Sequence, residues 1–265
     1  MKNKLNNVKV SVLIANYNNE KYINKCISSL LEQTYKNLEI IFIDDYSNDN
    51  SLEKVKLFKK KIRIIKKKTK KFNIGSFDQM QSFKECFKVS TGDIIFLLDS
   101  DDYFHKKKIS NIVKKFNQEN LSVICDKPIL KYQNYQIKTM KQKKILKNYW
   151  PYLSPTSCIS FRRGDFKKIL NIVSIKSFPD VWLDFRLSIV SIYIIKNFKI
   201  VNENLTYYRQ TNSNVSSKFK FLSINWWIRR KQSHDFVRFV FKKFKIQHSK
   251  NFDYFLTNFI NYFTK

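Results

Sequence analysis

Glycine and proline are scarce in this chain, three and four among 265 residues. That excludes collagen-like and low-complexity architectures and argues against extensive disorder. The three glycines, Gly75, Gly92 and Gly164, are too far apart to build a glycine-rich phosphate loop. Histidine is equally rare at three, and the four cysteines, Cys26, Cys86, Cys125 and Cys158, form no C-x-x-C pair. With no histidine at ligand spacing from a cysteine, the pattern argues against zinc and for buried, reduced thiols. No run of eighteen apolar residues occurs, so no bilayer-spanning helix is expected. Met1-Lys2-Asn3-Lys4 leads straight to a strand pattern at Val8, without a secretory signal, and a cytoplasmic location is expected.

Acids are the other shortage, 21 against 51 bases for a net charge of +30. Such an excess points to an anionic partner: nucleic acid, a lipid headgroup surface or a phosphorylated substrate. Abundant Lys, Asn, Ile and Phe also mark a compositional bias that supplies lysines without a function, though it explains the missing acids less well. The length suits one large domain, or one domain with a helical extension.

The first hundred residues alternate strand and helix patterns. Val8–Ala15 is a β-rich run ending at Asn16-Tyr17-Asn18-Asn19. Tyr22, Ile23, Cys26, Ile27, Leu30 and Leu31 then recur at helical spacing, with Asn18 or Asn19 as cap. Glu39–Ile43 is a second strand, ending in Asp44-Asp45, and Ser47–Lys60 a helix capped by Ser47 or Asn48. Ile62–Ile65 is a third strand, residues 77–90 a helix, and Asp93–Leu98 a fourth strand running into Asp99-Ser100-Asp101-Asp102. Further on, Ser122–Asp126 and Ile159–Phe161 read as strands, Trp182–Ile195 as a helix, Tyr207–Arg209 as an edge strand or loop, and the chain from about Phe219 as helical. Lys66–Lys71 reads as a solvated loop. Apolar strands alternating with helices predict an α/β fold with a mostly parallel sheet covered on both faces. Right-handed crossovers bring the ends of parallel strands to one edge, where ligands bind. Asn16-Tyr17, Asp44-Asp45 and Asp99–Asp102 should therefore converge.

Three carboxylates in Asp99-x-Asp101-Asp102 repel one another, and a hard divalent cation relieves that repulsion while sharing phosphate oxygens. The same tetrapeptide also serves as a solvated turn. Asp45 can accept hydrogen bonds from a base or ribose, or cap a helix; Tyr17 can stack on a base, or pack.

Together these segments resemble glycosyltransferase family 2, inverting enzymes of the GT-A nucleotide-binding fold. The resemblance rests on VSVLIANYNNEKYINKCISSLLEQTYKNLEIIFIDDYSNDNS, Asn73-x-Gly75, GDIIFLLDSDDYF, PTSCISFRR, and DVWLDFRLSI followed by NENLTYYRQTNSNVS, in that order over residues 8–217. It is closest to bacterial members that build surface polysaccharides. It implies a metal-dependent transfer from a nucleotide-sugar donor to a glycan or lipid-linked acceptor, with Mn²⁺ or Mg²⁺ as cofactor. It implies a donor site of Ala15, Asn16, Tyr17, Asp45, Asn73, Gly75, Asp99 and Ser100, metal ligation by Asp101 with Asp99, and Asp180 as general base. Asp184, one turn on, is the alternative base. Three positions depart from the family pattern: Pro179 replaces the Glu before the base, Thr211 a metal-ligating His, and Tyr46 a turn glycine.

Residues 1–217 are thus expected to form the catalytic domain and 218–265 a helical extension. The extension interleaves Trp226-Trp227 and many Phe with Arg and Lys, a composition suited to peripheral attachment at an anionic membrane surface, or to an ordinary helical pair. A nucleotidyltransferase would show a glycine-rich loop near its N-terminus. A nucleic-acid binder would not line its first half with acids, so no nucleic-acid partner is expected.

Overall fold

The computed structural model describes residues 8–69, 72, 74–132, 137–139, 154–211, 219–247 and 250–263. Asn73 and the boundary at 217/218 lie outside them.

Chain order begins β1 (Val10–Asn16), α1 (Ile23–Leu31), β2 (Leu38–Asp44), α2 (Ser51–Lys56), β3 (Arg63–Lys66), α3 (Gly75–Val89) and β4 (Ile94–Asp99). It continues β5 (Tyr103–Phe104), α4 (Lys108–Gln118), β6 (Val123–Lys131), β7 (Ile137–Thr139), a 3₁₀ turn at Thr156–Cys158, β8 (Ile159–Arg162) and α5 (Arg163–Val173). Last come α6 (Leu183–Val190) with a π turn at Ser191–Ile195, β9 (Phe198–Arg209), α7 (Ile224–Lys243) and α8 (Phe252–Phe263).

One sheet has the order β3-β2-β1-β4-β8-β6-β9-β5, with β7 beside β6. β3, β2, β1 and β4 are mutually parallel, and β6 pairs parallel with β9; β8, β7 and β5 join antiparallel. The chain steps from β1 outward to β2 and β3, then α3 returns it to β4 on the other side of β1. That reversal opens a crevice at the carboxyl ends of β1, β2 and β4.

Strand alternation builds a core on each face. Leu13, Ile41, Ile43, Ile95 and Leu97 pack with Phe77, Met80 and Phe83 of α3 and with α5, α6 and α7. Val12, Ile14, Ile40, Phe42, Phe96 and Leu98 pack with Ile23, Ile27 and Leu30 of α1 and with α4. Phe236, Val237, Val240 and Phe241 of α7 enter the first core, so α7 is cemented to the sheet. All four cysteines are buried free thiols.

Several local expectations are corrected. Asn18 and Asn19 do not cap α1 with their side chains; Asn19 Nδ2 instead reaches Ser100 Oγ at 2.9 Å. Ser47 and Asn48 do not cap α2, which starts later; Ser47 Oγ accepts from Asn16 Nδ2 and the Asn18 N–H. Lys67 is not solvated but 11% exposed, paired with Asp45 at 2.8 Å. Tyr207–Arg209 ends a twelve-residue strand paired along β6, and β5 covers the other side of that strand at Thr206 and Tyr207, so Tyr207 is not at an edge. In each case a tertiary partner outbid the local preference.

The opposite end of the parallel strands is locked by Glu39. Its carboxylate accepts from Ser11 Oγ at 2.5 Å and from the Thr91 and Gly92 N–H groups at 2.6 and 3.2 Å. Gly92 is required there, because a Cβ would lie 2.5 Å from the Ser11 nitrogen. Burial alone would raise the Glu39 carboxyl, but the donors from Ser11, Thr91 and Lys9 hold it at about 2. A folded value below the unfolded one means stability present above about pH 4.5 and lost as pH falls toward 2. With the side chain 25% exposed, Glu39→Gln should cost about 2 kcal/mol at neutral pH. Urea unfolding of both proteins should show the gap narrowing below about pH 4.5 and closing only toward pH 2.

Candidate active site

A cavity of about 360 Å³ opens at the carboxyl ends of β1, β2 and β4, within the range of small-ligand sites. Each strand delivers its terminal residues to it. β1 supplies Ala15, Asn16 and Tyr17, β2 supplies Asp45, and β4 supplies Asp99, Ser100 and Asp101. Gly75, Ser76, Asp78, Gln79 and Ser82 of α3 form a second wall, and Trp182, Leu183 and Asp184 with Thr156 and Tyr208 a third.

The carboxylates divide by role. Asp44 is internal, accepting from Asn16 Nδ2 at 2.8 Å and the Ser47 N–H at 3.0 Å. Asp45 faces the cavity with Lys67 Nζ at 2.8 Å, and that Nζ also donates to Ser82 Oγ. Tyr46, between Asp45 and Ser47, has φ 63, the left-handed conformation that glycine adopts without penalty. Asn16 Oδ1 is buried without a hydrogen-bond partner, and an orphan acceptor in a cavity wall is a natural contact for a ligand donor.

Asp102 is turned inward: Ser157 Oγ donates to it at 2.6 Å and the Arg209 N–H at 2.9 Å. Asp99 and Asp101 are left on the cavity floor. Burial, then the Asp101 charge beside it, pushes Asp99 up to about 8; Gln79, donating at 2.6 Å, pulls it down, and Asp184 adds to the rise. Burial likewise raises Asp101, against the Arg209 guanidinium, which donates to the Asp101 carbonyl. Two crowded, desolvated carboxylates with hard oxygen donors fit a divalent cation, whose charge would restore both to the ionised state. Among the described residues no group of three or more His, Cys, Asp or Glu side chains forms a closed metal cage. An ion held by these two carboxylates would need further oxygens, such as a ligand's own.

Asp180 is not on the cavity wall. Its carboxylate accepts from Gln232 Nε2 at 2.8 Å, and its carbonyl accepts from Arg229 Nε at 2.8 Å, both on α7. Asp184, in the first turn of α6, is on the wall with Asp99 and Asp101. The structure thus gathers Ala15, Asn16, Tyr17, Asp45, Gly75, Asp99, Ser100 and Asp101, and leaves Asp180 beside α7. Gln79, Ser76, Tyr208 and Thr156 went unread in the sequence. Only the helical placement of Gln79 four residues after Gly75 could have signalled any of them.

Comparison with known proteins adds the family. The pattern described as "Glycosyl transferase family 2" matches residues 11–178. An uncharacterized glycosyltransferase of Nostoc sp. is 30% identical over 220 residues, 78% of this chain and 66% of the relative. The UDP-Glc:α-D-GlcNAc-diphosphoundecaprenol β-1,3-glucosyltransferase WfaP of Escherichia coli is 36% identical over 130 residues, 48% of this chain and 46% of the relative. The chain thus spans just under two thirds of one relative's length and less than half of the other's. The crystal structure of S. aureus TarS 1-349 in complex with UDP-GlcNAc superposes with a TM-score of 0.64 at 19% identity, covering 86% of this chain and 66% of that one. At that identity the likeness speaks for the fold.

Proposed function

The chain belongs to glycosyltransferase family 2, and we propose that it transfers a sugar from a nucleoside-diphosphate donor held in the cavity to a hydroxyl acceptor, with inversion. The observation that carries this reading is the cavity itself. It sits at the reversal point of the sheet, with Asn16 and Asp45 at one end and the paired Asp99 and Asp101 on its floor. Tyr17 and Asp45 would hold the base, Ser100, Asn73 and Gly75 the ribose and diphosphate, and Asp101 with Asp99 a Mn²⁺ or Mg²⁺ ion. Such an ion, when bound, neutralises charge developing on the leaving diphosphate. Lys67 holds the Asp45 carboxylate in place, and Gln79 orients Asp99. The acceptor would be a growing surface glycan on a lipid carrier, a reading supported by the diphosphoundecaprenol-linked GlcNAc acceptor for which WfaP is named, and peripheral attachment to the inner face of a membrane belongs to the same reading. Among the described residues, no helix is long and apolar enough to cross a membrane.

A thermal-shift panel of UDP, TDP, GDP and CMP, with and without Mn²⁺, tests the donor site. At a hundredfold excess over Kd, a ligand adds about 2.7 kcal/mol to stability, roughly 5 °C or more in a chain of this size. One nucleotide should give a Mn²⁺-dependent shift that Asp101→Ala removes. No shift with any nucleotide would overturn the reading.

The base is assigned by position. The family pattern points to Asp180, but the cavity wall carries Asp184, and we place proton acceptance from the acceptor hydroxyl there. Asp184→Asn should lower kcat about 10²- to 10⁴-fold while leaving the nucleotide shift intact. Asp180→Asn should act mainly on stability through Gln232. The reverse ranking in kcat would return the role to Asp180.

A further inference from the structure

α8 is amphipathic with its polar side inward: its buried residues are mostly polar and its exposed ones aromatic. On α8 the residues turned against α7 are Tyr254, Thr257 and Asn261, all buried. Asn261 Nδ2 donates to the Trp227 carbonyl at 3.0 Å, Asp253 takes Arg230 and His234, and Tyr254 Oη takes Arg238. The opposite side carries Phe252, Phe255, Phe259, Tyr262 and Phe263, between 56 and 80% exposed. At 3.6 residues per turn, these five fall within an arc of about 100°, centred away from the packed face. Phe221, Leu222 and Ile224 are exposed beside the first turn of α7, the end of the hairpin where Asn261 makes its bond. An outward stripe of this kind is a contact surface rather than chance exposure.

Charge identifies what it contacts. From Asp235 to Asp253 the chain carries Arg238, Lys242, Lys243, Lys245 and Lys250 and no acid between. The four lysines are exposed around the α7–α8 turn. The aromatic stripe itself holds no cation. An uncharged stripe suits the acyl boundary of a bilayer, and cations gathered at its end suit anionic headgroups. A second copy is disfavoured because each carries +30. Nucleic acid is disfavoured because its aromatic platforms lie within a basic groove rather than beyond its end.

We propose that the α8 face, with the lysines of the α7–α8 turn, is a docking surface for anionic lipid, which seats the molecule on the membrane with α7 transmitting the attachment to the core. This deepens the peripheral-attachment part of the proposed function and rests on it. Vesicle binding is measured without nucleotide or acceptor, so its failure and the failure of sugar transfer are read separately.

The test is flotation of the full chain with phosphatidylcholine vesicles and with vesicles containing 30% phosphatidylglycerol, at about 0.1 M salt. The wild type should float with the anionic vesicles at least tenfold better. Phe255→Ser/Phe259→Ser should weaken that binding at least tenfold, at unchanged melting temperature, since both side chains face outward. Lys242→Gln/Lys243→Gln should weaken it about fivefold per charge. Equal flotation of the wild type and the Phe pair would overturn the proposal. So would a dimer in sedimentation that the Phe pair dissolves while vesicles stay unbound, or tighter binding of a single-stranded oligonucleotide than of the vesicles.

Discussion

Asp101→Asn is expected to abolish sugar transfer, by about 10²- to 10³-fold or more in kcat/KM, while leaving the ligand-free protein as stable as the wild type or more so. The two halves of that outcome have one cause. Asp101 is half-buried on the cavity with Asp99, and desolvation there raises its carboxyl. A carboxyl raised on folding subtracts stability above its unfolded value and stops doing so as pH falls and it is protonated. Asparagine removes the charge and with it the penalty. A core or packing residue would behave oppositely, losing stability first and activity as a consequence. Melting curves without ligand, alongside transfer assays with Mn²⁺, separate the two. A variant that melts several degrees lower would show Asp101 to be part of the scaffold.

Lys108→Met is expected to cost about 3–5 kcal/mol of stability, the range for stripping one partner from a buried ion pair. Lys108 Nζ lies 2.7 Å from Asp126 Oδ1, with side-chain exposures of 1% and 0%. It also donates to the Ser157 carbonyl at 2.6 Å and to Thr206 Oγ1 at 2.5 Å, and sits 4.0 Å from the centre of the Phe104 ring. Ser157 is the link to the site, because its hydroxyl donates to Asp102 and accepts the Asp99 N–H at 3.0 Å. Loss of the lysine therefore leaves an unpaired carboxylate under the loop that carries Asp99 and Asp101. Burial already raises Asp126 against the pull of Lys108, so acidification, which protonates it, should narrow the deficit. Asp126→Leu added to Lys108→Met should recover part of the loss, and a double-mutant cycle by urea unfolding should show coupling. Additive costs would mean that the pair contributes little as a unit.

Glu39, Asp45 and Asp102 show how far local sequence carries. Each follows or occupies an apolar strand, so each could be placed at a sheet edge from pattern alone. Their roles differ because of groups contributed from far along the chain: Thr91 and Gly92 for Glu39, Lys67 for Asp45, Ser157 and Arg209 for Asp102. Asp180 and Asp184 make the same point within one helical turn. The family resemblance singles out Asp180, yet Gln232 and Arg229 reach it from α7 while Asp184 meets the cavity.

By itself, the order of residues determined the alternation of apolar strands and helices, the parallel start of the sheet, and the convergence of Asn16, Asp45, Asp99 and Asp101 at one edge. These follow from periodicity and from the handedness of crossovers, which act over a few residues at a time. Only the tertiary structure decided which carboxylates face the cavity and which tie the scaffold, that Lys67 and Lys108 are internal, that β5 covers β9 at Thr206 and Tyr207, and that α8 turns its aromatic face outward. Those outcomes depend on desolvation and on partners from 18 to 107 residues away, and a buried charge takes its meaning from what is packed against it.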